Sequence, residues 1–327
     1  MQTNHIEHSG NTISGVVTAS KYFDFTQSLA FLDNSGASDR LDVLNADDGL
    51  LQRTMLLDDH PYLVTLQSQE DTDLEVIVQS PDGEDAPTEA ILTEAVAWAN
   101  RRFWLDVDMD TVKDAITGDE YGDMLADTFS PSRPANYPSA WEALLISVTH
   151  AQIYPGLAIQ LDDTLAVVFR PKATFDEQTY YLTPRPFDLL RANEEELKGM
   201  RFSRQKADYL TTIPQTIMND LVTYDFDDMR QRDGEEIVKT LKDLRGVGAW
   251  TSQNVAMRGL PHTDVFIDEK STRKAIAPFY YRNGDAITKK NFQKTVARFA
   301  PYRSFACYYT YMHHFGMEDD DANAKSD

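Results

Sequence analysis

The sequence predicts an α+β domain over residues 1–110, an all-α domain of two helical lobes around a cleft over 111–317, and an acidic, disordered tail over 318–327. Three observations carry this. Apolar and polar residues alternate in part between Arg40 and Gln79, with polar breaks such as Leu57-Asp58-Asp59-His60-Pro61. Beyond Asp110 the alternation gives way to helical spacing, and several stretches open on a capping residue such as Ser203, Thr288 or Ser304. Late in the chain, two such stretches flank Gly246-Val247-Gly248, a turn that folds one helix back on the next.

In chain order, residues 1–15 read as a loose start and Val16–Ser20 as a short strand. Phe25–Asn34 is a helix with Phe25 and Leu29 on one side. Arg40–Val43, Gly49–Leu57, Tyr62–Gln67 and Leu74–Gln79 complete an antiparallel sheet of four or five strands. Thr88–Phe103 is a helix packed on it. From Asp110 on, strands nearly vanish. The expected helices include Pro138–Gln152, Ser203–Asp220, Gly234–Asp243, Ala249–Arg258, Ser271–Phe279 and Ser304–Phe315. Between Ala249–Arg258 and Ser271–Phe279, Val265-Phe266-Ile267 reads as a strand-like run ending in the acid Asp268.

Composition narrows the function classes. A chain of 327 residues, 42% hydrophobic and 11% aromatic, can bury a substantial core. No run approaches the ~20 apolar residues of a membrane helix. The start, MQTNHIEHSGNTISG, lacks an apolar leader, so a cytoplasmic protein is expected. The single Cys307 rules out an intrachain disulfide and a multi-cysteine metal site, and His313-His314 has no partners at metal-ligand spacing. A net charge of −22 opposes phosphate binding over most of the surface. Any nucleic-acid site must be a local basic or neutral patch helped by backbone amides. Candidates lie at Lys198–Lys206, Lys270–Lys274, Arg282, Lys289, Lys290, Lys294, Arg298 and Arg303.

The glycine turn supplies such amides. Two glycines in three residues permit positive φ and close backbone approach. The helix beginning near Ala249 presents unpartnered amides and partial positive charge. That suits a phosphate, although an ordinary helical hairpin would look the same.

Several segments occur in a telling order. They are Tyr22-Phe23-Asp24-Phe25 with Leu29-Ala30-Phe31-Leu32, Tyr137-Pro138-Ser139-Ala140-Trp141-Glu142 followed by Ala151-Gln152-Ile153, and Leu182-Thr183-Pro184. Arg204-Gln205-Lys206-Ala207, Leu244-Arg245-Gly246-Val247-Gly248-Ala249-Trp250-Thr251 and Phe299-Ala300-Pro301-Tyr302-Arg303-Ser304-Phe305-Ala306 follow. The ordered set resembles the helix-hairpin-helix DNA glycosylases, and within them the bacterial 3-methyladenine DNA glycosylase II (AlkA) type. The likeness spans most of residues 20–315, and no single motif decides it.

The resemblance implies a small antiparallel sheet domain followed by two helical lobes of the glycosylase domain. It implies excision of an alkylated, 3-methyladenine-like purine from double-stranded DNA by a monomer, in base-excision repair. Gln152 and Ile153 match the family's wedge, which fills the gap left by the extruded base; Ile153 could equally pack in the core. Trp250 matches the aromatic wall of the base pocket, and Tyr311 and Trp141 are further wall candidates, with Tyr308 and Tyr309 close by. Related glycosylase/lyases carry a Schiff-base lysine where Trp250 stands, so a monofunctional enzyme is implied. Backbone amides of Gly246, Gly248 and Thr251 would hold a DNA phosphate, with Arg303 adding a contact or forming a structural ion pair. No cofactor is required, although the family often binds Na+ or K+ through hairpin carbonyls, here those of Leu244 and Val247.

Breaking the glycosidic bond builds positive charge on the sugar, so a carboxylate is required beside it. Asp268 lies eighteen positions after Trp250, the lysine-to-acid spacing of the endonuclease-III branch, and Arg273 follows five later as it does there. The register of the AlkA type points instead at Glu269 or Lys270. Asp268 and the alternative Glu269 both remain open at this stage, with Asp268 at or just before the start of the following helix. Two other functions fit less of the pattern: a non-catalytic binder of damaged DNA, and a glycosylase for oxidised or deaminated bases. Because backbone amides rather than lysines would hold the phosphates, DNA affinity should fall shallowly with salt, far short of the 10³–10⁵-fold loss of about 6–10 phosphate contacts between ~50 and ~200 mM. Fluorescence anisotropy across that range measures it, and a steep slope contradicts the expectation.

Overall fold

A computed structural model describes residues 3–323, except 22, 35–40, 70–71, 130–132, 152, 154, 170 and 282–286. Tyr22, Arg40, Gln152 and Arg282, named above, lie outside the described residues. Six antiparallel strands form one sheet in the order β1-β2-β6-β5-β4-β3: β1 (Asn4–Ser9), β2 (Thr12–Thr18), β3 (Asp42–Asn45), β4 (Leu50–Leu57), β5 (His60–Ser68) and β6 (Asp73–Gln79). Its buried face is read directly in the register, where Ile13 and Val64 both oppose Val78 and Leu66 opposes Val76. Helices α1 (Phe25–Asn34) and α2 (Glu89–Phe103) complete this core with Leu29, Leu92, Ala95 and Trp98.

The sheet is larger than expected at its beginning. The loose start predicted over residues 1–15 is a hairpin of β1 and β2. Every residue of β1 is exposed, so no face of it is apolar and the strand leaves no periodic trace. A second departure is the small hairpin of β7 (Lys172–Phe175) and β8 (Gln178–Tyr181), in a region expected to be free of strands. Its turn residues, Asp176 and Glu177, both take positive φ without a glycine. The Asp82 carboxylate compensates by accepting both of their amides, at 2.8 and 2.9 Å.

The remaining helices surround a second apolar cluster. They are α3 (Met109–Ile116), α4 (Glu120–Phe129), α5 (Ala140–His150), α6 (Pro155–Phe169), α7 (Pro186–Leu189), α8 (Glu194–Gly199), α9 (Arg204–Asn219), α10 (Phe226–Met229), α11 (Gly234–Leu241), α12 (Ala249–Asn254), α13 (Lys270–Tyr280), α14 (Lys289–Val296) and α15 (Arg303–Asn323). The end of α12 widens into a π-turn at Val255–Gly259. There Gly259 lies so close to α5 that a Cβ would sit 2.7 Å from the Ala143 Cβ and 3.0 Å from the Ala140 Cα. Val265–Ile267, read above as strand-like, has no regular secondary structure and pairs with no strand among the described residues. The backbone of α15 is helical to Asn323.

Sheet and helices are joined by a buried charge network. Arg53 on β4 donates to Asp42 at 2.8 Å and to both oxygens of Glu142 on α5, at 2.7 and 2.6 Å. Arg102 on α2 reaches the other Asp42 oxygen at 2.6 Å, and Thr183 donates to Glu142. All four charged residues are buried. Such a network gives geometric definition more than net stability, and removing one member leaves the others uncompensated. Arg53→Met should therefore cost about 3–5 kcal/mol of unfolding free energy. Urea unfolding measures it, and a loss below ~1 kcal/mol would show the network to be dispensable.

Candidate active site

The helical hairpin is built from α11, the turn after it, and α12. Leu241, Leu244 and Val247 are buried and anchor it in the helical core. Gly246 takes φ +89°, and a Cβ there would fall 2.5 Å from the ring of Tyr209, so glycine is demanded twice. The Val247 amide donates to the Leu244 carbonyl at 3.0 Å. Gly248 is the N-cap of α12 and offers no side chain to its first amides. Those amides have no side-chain cap, and a helix start of this kind can accept an anion. Thr251 is buried, so its hydroxyl is not presented on the surface.

Trp250 lies in the first turn of α12, half-buried against the helical core. One turn on, Gln253 accepts the Asp268 backbone amide on its Oε1 at 3.2 Å. Beside it Asn254 donates to Ser147 of α5 at 2.8 Å, both residues being buried. The hairpin helix is thus fastened on one side to α5 and on the other to the acid.

The chain from His262 to Asp268 has no strand beside it, so its backbone groups need other partners. Side chains from α15 supply several. The Ser304 hydroxyl accepts the Val265 amide at 3.1 Å and donates to the carbonyl of His262 or Val265, while the Ser304 amide donates to Thr263. The Cys307 sulfur accepts the Ile267 amide at 3.4 Å. Arg303 holds Asp264 with two bonds, Nε at 2.6 Å and Nη2 at 3.0 Å. Arg303 therefore forms the structural ion pair foreseen as the alternative to a phosphate contact.

The two candidate acids leave this segment in different states. Asp268 is ahead of α13; its Oδ1 accepts from Arg273 Nε at 2.6 Å, and its other oxygen has no partner among the described residues. Its side chain keeps 10% exposure. Glu269 is the N-cap of α13, in a reciprocal capping box with Thr272. Its Oε1 also accepts from Ser271 at 2.5 Å and from Tyr311 at 2.6 Å. Burial, reinforced by the neighbouring Cys307 and Glu269, holds the Tyr311 hydroxyl protonated well above the usual phenol range, so it acts as a donor.

The other predicted residues divide. Tyr308 and Tyr309 are fully buried in the helical core and form no wall. Trp141 is buried too; its indole donates to the Pro184 carbonyl at 2.6 Å and lines a separate cleft of about 170 Å³ with Arg53, Glu142 and Thr183. The structure thus brings Asp268 to Gln253, one turn beyond Trp250 on the hairpin helix, and Glu269 to Tyr311 of α15, and leaves Trp141 in the other cleft. Ile153 follows the end of α5, half-buried, its amide 3.4 Å from the His150 carbonyl. Gln253, Ser304 and Cys307 were missed by sequence reasoning; only Ser304 lay inside a segment already singled out.

No family model matches the chain. In sequence it is 26% identical over 140 residues to DNA-3-methyladenine glycosylase 2 of Escherichia coli (strain K12), covering 40% of this chain and 43% of that protein. It is 25% identical over 174 residues to the DNA-3-methyladenine glycosylase of Bacillus subtilis (strain 168), covering 53% and 56%. The chain thus spans about half the length of these curated relatives. The 3-methyladenine DNA-glycosylase from Archaeoglobus fulgidus superposes with a TM-score of 0.70 at 19% identity, over 91% of this chain and 97% of that one. The chain shares the fold of that DNA glycosylase. An 8-oxoguanine glycosylase/lyase from Clostridium acetobutylicum, solved with double-stranded DNA, shares this fold with a TM-score of 0.72 at 15% identity, over 98% and 100%. No helix among the described residues is long and apolar enough to cross a membrane.

Within the glycosylase fold the acid-bearing segment carries one titratable clasp. His262 Nδ1 accepts the Asp264 amide at 3.1 Å, which requires a neutral ring. Burial lowers its pKa, aided by Arg303 and opposed by Asp233 and Asp264. A lowered folded-state value means the unfolded chain takes up the proton first. The stabilising contribution is therefore full above the ordinary imidazole pKa of about 6.5 and is lost as pH falls from there toward the folded value. Urea unfolding at pH 7.5 and pH 5.5 should show lower stability at the acid end, and His262→Asn, which cannot be protonated, should flatten the difference. An unchanged pH dependence in the variant contradicts this assignment.

Proposed function

We propose that this protein is a monofunctional DNA N-glycosylase that hydrolyses the N-glycosidic bond of alkylated, 3-methyladenine-like purines in double-stranded DNA, in base-excision repair. The observation that carries the reading is a carboxylate with one unpartnered oxygen, Asp268, tied through Gln253 to a hairpin helix whose opening amides are uncapped. The relatives named for 3-methyladenine excision support the substrate class.

On this reading the base leaves the stack and lies against Trp250 and the ring of Tyr311, where an electron-poor alkylated purine gains from aromatic faces. Ile153, with Gln152 beside it in sequence, fills the gap. The amides of Gly246, Gly248 and Thr251 hold a phosphate. As the bond breaks, positive charge grows on the sugar and Asp268 stabilises it; its open oxygen faces the sugar or directs a water to it. Arg273 orients the carboxylate by occupying Oδ1. Trp250 offers no amine for a covalent intermediate, which supports hydrolysis without strand cleavage. Glu269 is engaged by three partners and serves α13 as its cap.

The hairpin also suits a monovalent cation. The Leu244 carbonyl accepts one amide and keeps a second lone pair, and the Val247 carbonyl is the other donor the family pattern suggests. Such an ion would fix the turn's carbonyls and thereby its amides. The enzyme would act as a cytoplasmic monomer on double-stranded DNA.

Asp268→Asn and Glu269→Gln, compared in single-turnover release of an alkylated purine from a duplex, test the assignment. Asp268→Asn should lose about 10²–10⁴ in rate. Glu269→Gln should keep most of the rate while losing about 1 kcal/mol of stability through the weakened cap. Full activity in Asp268→Asn would overturn the assignment.

A further inference from the structure

One short stretch of α9 touches both loops to which the proposed reading gives a role on DNA. Lys206 Nζ donates to the Thr149 carbonyl in the last turn of α5, directly before the loop that carries Ile153. Tyr209, three residues on, lays its ring against the Cα of Gly246 in the hairpin turn. Its hydroxyl accepts from Gln205 at 2.6 Å. Between them Asp208 pairs with Arg245 of the same turn at 2.8 Å.

The placement of Lys206 is costly for its own helix. Arg204 and Lys206 put positive charge in the first turn of α9, where the dipole disfavours it. By contrast α8, α10 and α11 all carry acids in that turn. The compensation lies at α5, whose terminal carbonyls lack partners within their own helix and attract a cation. Lys206 is therefore aimed at the end of another helix, and not at solvent or a phosphate.

We propose that the first two turns of α9 are a strut that sets the position of the wedge loop relative to the phosphate seat, with Lys206 and Tyr209 as positioning residues. This rests on the glycosylase reading above. Lys206 caps α5 so that the chain leaving it delivers Ile153 at one place. Tyr209 backs Gly246 so that the hairpin amides stay at another. Because both side chains leave the same rigid helix, inserting the wedge and seating the phosphate occur in one geometry. Neither residue touches the reacting atoms.

The test uses the full chain and two duplexes with one alkylated purine, paired normally in one and placed in a single-nucleotide bulge in the other. A 2-aminopurine next to the lesion reports unstacking independently of bond cleavage. Lys206→Met should lower both the fluorescence rise and the single-turnover release about tenfold on the paired duplex, and change release on the bulge by less than about twofold, since misplacement affects only the step that needs the wedge. Lys206→Arg, which keeps a cationic donor, should recover most of the loss. Tyr209→Ala should weaken binding to both duplexes alike, and Tyr209→Phe should not. Lys206→Met that matches the wild type on the paired duplex, or that is equally slow on both, overturns the strut. Wild type that unstacks the neighbour but releases no base sinks the glycosylase reading alone, while the fluorescence arm still decides the strut. A wild type that neither unstacks nor releases sinks both.

Discussion

The site depends on how an irregular, unpaired segment is held. From His262 to Asp268 the chain has no neighbouring strand, and buried backbone groups without partners would cost more than the segment could recover. Ser304, Cys307 and Gln253 take its amides, Thr272 donates to the Ile267 carbonyl, and Arg303 fixes Asp264. Val265, Phe266 and Ile267 are meanwhile sunk in the helical core. These contacts fasten the segment to α15 and, through the Asp268 amide, to Gln253 of the hairpin helix. The spacing of eighteen residues between Trp250 and Asp268 acquires meaning only through this clasp.

Charge is handled in the same way. In a chain of net −22, several cations near the candidate site are engaged within the protein. Arg273 holds Asp268, Arg303 holds Asp264, Arg245 holds Asp208 and Lys206 caps α5. These pairs give position more than they give positive potential. On the proposed reading, attraction for the DNA backbone is then left largely to the amides that open α12, whose partial charge no acidic surface residue can titrate away.

Much of this was legible in the sequence because it rests on local rules. The glycine turn, the capped helices and the strands from Leu50 to Gln79 follow from conformational freedom, side-chain capping and alternation. The β1 strand was hidden because no face of it is buried, and the β7–β8 hairpin because Asp82, remote in sequence, stabilises a turn without glycine. Asp268 and Glu269 could not be separated by spacing. What distinguishes them is the engagement of their oxygens, by Arg273 in one case and by Ser271, Thr272 and Tyr311 in the other, and that is a property of packing between α13 and α15. Tyr311 and Trp141 looked alike as aromatic candidates, and only the fold sends one to the acid and the other to the cleft beside Arg53.

The central claim is that Asp268, held to the hairpin helix through Gln253, supports hydrolytic release of a base from duplex DNA without an amine nucleophile at position 250. The most direct measurement is product analysis of the unaltered protein on a duplex with one alkylated purine, following both the released base and the integrity of the strand, with borohydride present in a parallel sample. The account predicts free base, an unbroken strand carrying an abasic site, and no protein–DNA adduct. A nicked strand or a trapped adduct, or no free base at all, would contradict it.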